Sequence, residues 1–164
     1  MRFSRQTTGA STTRNLLGSA AGSFPSRALH DVQTGRFERT LAGLAAAGAI
    51  VTTGEIYTSH DGASFGNKMM WWPIVIVPTL LPAGVAAVFS RRAAKTVLPA
   101  ASILVIANGM QGTFFHFRGI SRKPGGWRNL RYNLEMGPPA FAPALASLVG
   151  GMGLLASLLR REGD

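Results

Sequence analysis

Four apolar runs, over residues 40–58, 71–90, 96–115 and 138–159, leave this chain few folds to choose from. Each has about the 17–25 residues a helix needs to cross a hydrocarbon core. A helix that is apolar all round has no face to show water, whereas in lipid it satisfies its own backbone. The runs therefore predict an all-α integral membrane protein, a four-transmembrane-helix bundle over residues 40–161. Mean hydropathy is only +0.18. Polar segments dilute the spans, and Ala and Gly dominate the first and last of them.

Small residues mark expected contact seams. The last run places Ala142, Ala146 and Gly150 at four-residue intervals with Gly153 beyond, and the first run repeats the device at Gly43 and Ala47. Such spacing lets helix backbones approach closely. Pro78, Pro82, Pro99 and Pro143 predict kinks or local breaks, which neighbouring helices can re-satisfy. The absence of an internal repeat argues against an inverted-repeat transporter.

Residues 1–39 read as a separate basic, polar tail. The first 30 carry Arg2, Arg5, Arg14 and Arg27, no acid, and many Ser, Thr, Gly and Ala. With no apolar period this predicts disorder, or an organellar transit peptide of similar composition. Residues 31–39 can form a short helix feeding the first span, with Phe37 at the interface. Residues 162–164 are left as a C-terminal tail.

The net charge of +10 does not point to nucleic acid, because the basic residues lie at span ends and between spans rather than on a reading helix or platform. Their asymmetry predicts both termini on the cytoplasmic side, in a bacterial inner membrane or, with a transit peptide, an organellar inner membrane. One segment objects. Residues 117–137 carry Arg118, Arg122, Lys123, Arg128 and Arg131 against Glu135 alone, and this topology puts them outside. Anionic lipid headgroups or a partner protein would account for that basic charge. Within the segment, Lys123-Pro124-Gly125-Gly126 is a turn sequence. Trp127 and Tyr132 then interleave with Arg128 and Arg131, which predicts a structured loop capping the outer face. Arg118, Arg122, Lys123, Trp127, Arg128, Arg131 and Tyr132 are the candidate docking residues, for lipid or for other membrane or extracytoplasmic subunits.

The unusual polar residues gather at the same predicted face. Glu55 and His60 lie near the outer end of the first span, and Asn108, Gln111 and His116 rise along the third. A carboxylate within a span tends to face the bundle interior and to serve a function, so Glu55 is the candidate proton relay. It shares a helical face with Gly48, Thr52 and Ser59; a loop arginine such as Arg118 or Arg128 is its alternative, structural partner. His60 and His116 are the candidate cofactor ligands, for haem b or a quinone. Gly112 and Gly109, below His116, clear a strip for either a flat ring or a neighbouring helix backbone. Trp71 and Trp72 fit an interfacial aromatic belt.

No GxSxG, Walker, GxGxxG or HExxH motif occurs, and zero cysteines exclude thiolate chemistry. No catalytic residue and no metal site is assigned. The expected function is a non-catalytic integral membrane subunit that anchors or docks a partner, such as a membrane-associated redox complex. The alternative is a subunit that itself carries electrons or protons through haem b or quinone near the outer face. A small permease fits less well, because the inner halves of the spans lack polar residues.

Overall fold

The computed structural model describes Ser26, Leu29, His30 and residues 36–161. Among these residues all regular structure is helical. Most of the 1–39 tail and all of 162–164 lie outside the described residues. The chain winds as α1 (Arg36–Gly62), α2 (Trp71–Ile76), α3 (Leu80–Phe89), α4 (Arg91–Lys95), α5 (Val97–Ser121), α6 (Leu130–Glu135) and α7 (Ala142–Leu158), with 3-10 turns at Lys68–Met70, Val77–Thr79 and Gly126–Asn129. Three helical stretches are long and apolar enough to cross a membrane: Arg36–Gly62, Lys68–Phe89 and Arg91–Ser121. The fourth, α7, is apolar but has 17 residues.

The ends of the helices differ from the apolar runs for local reasons. Residues 36–39 do not precede the first span; they are part of α1, where Glu38 suits the positive end of the helix dipole. At the far end of α5 the helix continues to Ser121 and carries His116 and Arg118 with it. By contrast, α7 starts at Ala142 rather than near residue 138. Pro139 disfavours helix at Pro138, and Ala140 and Phe141 form a turn ahead of α7. Pro78 falls in the Val77–Thr79 turn and breaks the second column. Pro99 and Pro143 sit in first helical turns, where a missing N–H costs nothing.

Packing follows the small residues. α1 lies against α3 and α7, and α5 lies against α7 and, less extensively, α3. A methyl group on Gly84 would fall 2.7 Å from the Ala42 carbonyl oxygen, and one on Gly150 2.9 Å from that of Ser102. The seam on α7 is therefore where the spacing put it. On α1 it is not: Ala42, Ala45, Ala46 and Ala49 are buried, whereas Gly43 meets only Val88 at 3.8 Å and Ala47 is exposed. A run of Ala and Gly has little contrast of size to mark its inner face. Leu80, Leu98 and Val105 fill the core with the small residues, many other large side chains point outward, including Phe89 (82% exposed) and Leu158 (74%), and Thr52, Ser102 and Asn108 are buried inside.

One end of the assembly is tied by charge. Glu38 (0% exposed) and Arg161 (3%) approach to 3.6 Å. The Arg161 guanidinium also donates to the Ala87 and Val88 carbonyls at 2.8 and 2.9 Å. Beside it, Lys95 Nζ donates to the carbonyls of Ser157 and Leu159 at 2.8 and 2.7 Å. These bonds use carbonyls that the ends of α3 and α7 would otherwise leave without a donor.

Candidate functional site

The opposite end holds a cavity of about 850 Å³. Its α1 wall is a single helical stripe, Thr52, Glu55, Ile56, Ser59 and His60, at intervals of three and four residues. α5 and its C-terminal cap residue Arg122 supply the facing wall, with Asn108, Gln111, Gly112, Phe115, His116 and Arg118 on the helix. α1 and α5 each pack mainly against α3 and α7 rather than against each other, and the gap between them opens at this end. Met69, Met70 and Pro73 close one side, and Pro138, Pro139 and Leu145 the other.

The polar groups around this cavity are unequally satisfied. His116 Nδ1 lies 2.7 Å from the Pro139 carbonyl oxygen. A carbonyl only accepts, so Nδ1 is the donating nitrogen. His60 is within coulombic range of His116, and its Nδ1 is buried with no hydrogen-bond partner among the described residues. Glu55 is exposed at the cavity wall and makes no ion pair with Arg118, Arg128 or any other described residue. The guanidinium groups of Arg118 and Arg122 likewise make no ion pair or hydrogen bond with described residues. Lys123 Nζ donates to the Met136 carbonyl at 3.2 Å.

The glycine strip below His116 is occupied by protein. A methyl at Gly112 would meet Pro143 Cβ at 2.9 Å, and one at Gly109 would meet the Pro143 carbonyl oxygen at 2.8 Å. The strip brings α5 and α7 together and leaves no slot there for a flat ring. Among the described residues no group of three or more His, Asp or Glu side chains is placed to share a metal ion.

Residues 117–137 form a folded cap beside the cavity. Gly125 (φ +76°) and Gly126 (φ +48°) take the left-handed backbone that the turn requires. Asn133, fully buried, braces it by donating from Nδ2 to the Pro124 and Gly126 carbonyls at 3.1 and 2.7 Å. Trp127 packs edge-on against Phe117 with ring centroids 5.8 Å apart, yet remains 48% exposed, and Tyr132 is 56% exposed. Arg131 pairs loosely with Glu135 at 3.7 Å on the surface. The predicted docking residues thus divide: Arg118, Arg122 and Lys123 line the cavity, whereas Trp127, Arg128, Arg131 and Tyr132 face outward from the cap.

Two features escaped the sequence reading. Asn133 had no signal beyond a polar residue between apolar ones. Phe65 lies in a short connection, where Ser64 (φ 55°) and Phe65 (φ 45°) both adopt left-handed backbone. That is costly for side chains other than Gly and Asn. The ring stacks on Trp71 with centroids 4.2 Å apart and sits edge-on to His60 at 6.2 Å. Trp71 is therefore also part of an aromatic cluster that joins α1 to α2. Comparison with known protein families, curated proteins and solved structures found no match.

Proposed function

We propose that this chain is a four-helix membrane bundle that works as a non-catalytic docking subunit. Many of its large apolar side chains stand exposed on the helices, Phe89, Leu148 and Leu158 among them, as expected where lipid is the solvent. In this reading α7 is the fourth span, both termini are cytoplasmic, and the cavity and cap lie at the outer face. The observation that carries docking is the cap: Trp127, Tyr132 and Arg128 stand exposed on a folded segment braced by two hydrogen bonds from Asn133. Trp, Tyr and Arg dominate binding energy at interfaces, and a pre-ordered surface loses less entropy on binding. The partner we infer is a membrane-associated redox enzyme, because Glu55, His60 and His116 adjoin the cap and suit proton or quinone chemistry.

The test is affinity purification from membranes in mild detergent, comparing the wild type with Trp127→Ala and Arg128→Glu. A stoichiometric partner should fall by about tenfold or more in each variant. Arg39→Gln, on α1 far from the cap, should leave it unchanged. Recovery of the same partner in equal amount from all of them would sink the docking role.

A further inference from the structure

The two arginines at the cavity rim pose a physical problem. Arg118 and Arg122 are one helical turn apart, so their side chains are neighbours. Both line the cavity, with Lys123 beside them and Glu55 as the one carboxylate in the lining. Like charges at this spacing repel, and described residues offer neither guanidinium a partner. An anion between them would remove the repulsion, and guanidinium is the group best shaped to grip phosphate.

The rest of the cavity says what kind of anion. Its volume, about 850 Å³, far exceeds the ~30 Å³ share of one water molecule, so a bare inorganic ion would leave it nearly empty. Most of the wall is apolar: Ile56, Met70, Pro73, Phe115, Pro138 and Leu145. From Arg122 to Asn108 the lining follows α5 for about 21 Å of helix rise. Charge at the rim over a long apolar wall matches an amphiphile with an anionic head. A membrane supplies such molecules at the mouth of the cavity.

We propose that the cavity holds one anionic phospholipid, its phosphate held by Arg118 and Arg122 and its acyl chain laid along the apolar wall. The proposal rests on the membrane reading above and is independent of the partner docked on the cap. Lys123, already engaged with the Met136 carbonyl, would close the cap over the headgroup.

The experiment uses the full chain purified in mild detergent, with bound lipid read by native mass spectrometry. Vesicles of phosphatidylglycerol and of phosphatidylcholine are then offered separately. The expected result is one retained phosphatidylglycerol per chain, preferred by about tenfold over phosphatidylcholine, whose choline cation offsets the phosphate charge beside Arg118, Arg122 and Lys123. The Arg118→Gln/Arg122→Gln double variant should lose that preference. Ser59→Phe, which narrows the cavity along its α1 wall and leaves the arginines in place, should weaken retention of both lipids. If the double variant does not fold, as read by circular dichroism, the Ser59→Phe result decides alone. Equal retention of the two lipids by the wild type would overturn the proposal. So would full displacement by inorganic phosphate, which would identify a free anion as the ligand. A co-purifying quinone or a visible haem band in place of lipid would overturn it too. Carbonate washing of cell membranes separates the two levels. A chain released by the wash removes the membrane reading itself, whereas a chain that stays but carries no lipid removes this inference alone.

Discussion

The two ends of this molecule treat charge in opposite ways. Where α1 begins and α7 ends, Glu38 and Arg161 are almost completely buried, and the Arg161 and Lys95 donors are taken up by helix carbonyls. At the other end Glu55, Arg118 and Arg122 stand around a cavity without partners among the described residues. A buried, paired charge is held because releasing either member leaves the other stranded in a low-dielectric interior. An unpaired, accessible charge contributes little to folding and is free to meet something else. The contrast separates a clasp that fixes the helices from a mouth that can receive a ligand.

The largest effect should come from opening the clasp. Arg161→Ala removes the guanidinium beside the buried Glu38 carboxylate and its two bonds to the Ala87 and Val88 carbonyls, which should cost about 3–5 kcal/mol. Thermal or denaturant unfolding in detergent measures it, and a loss below about 1 kcal/mol, the range of a surface pair, would erase the distinction between the ends. An intermediate effect is expected in the cap. Asn133→Ala removes two hydrogen bonds from a buried site and should cost about 1–3 kcal/mol. Hydrogen exchange should rise in residues 122–136 and not in α1 or α7; a rise throughout would mean that cap and helices unfold together. The smallest effect should be that of Glu55→Gln. With no ion pair to lose, it should shift stability by no more than about 0.5 kcal/mol. A larger loss would reveal a structural role and bring the two ends closer in kind.

The gathering of Glu55, His60, Asn108, Gln111 and His116 at one end was legible because successive helices reverse direction, so that residues late in one column meet residues late in the next but one. The turn at Gly125 and Gly126 was legible from its own residue types. The clasp was not. Whether Glu38 meets Arg161 depends on the rotation of α1 and on where α7 ends, and neither is written near those residues. The inner face of α1 was misplaced for a related reason: each residue turns the helix by about 100°, and Ala42 to Ala49 offer almost no change of size to show which side is buried. Phe65 was missed because left-handed backbone at a non-glycine residue has no sequence signature. It is held there by its contacts with Trp71 and His60.

The brevity of α7 bears on where such a protein can sit. Seventeen residues rise about 26 Å, less than the roughly 30 Å depth of a typical hydrocarbon core. Pro138 and Pro139, which precede α7, have no N–H to leave exposed in lipid, and the Pro139 carbonyl is taken by His116. The irregular entry can therefore sink below the surface at little cost. On the proposed membrane reading, with α7 as the fourth span, the bilayer around it would pinch inward and such a chain would favour thin membranes.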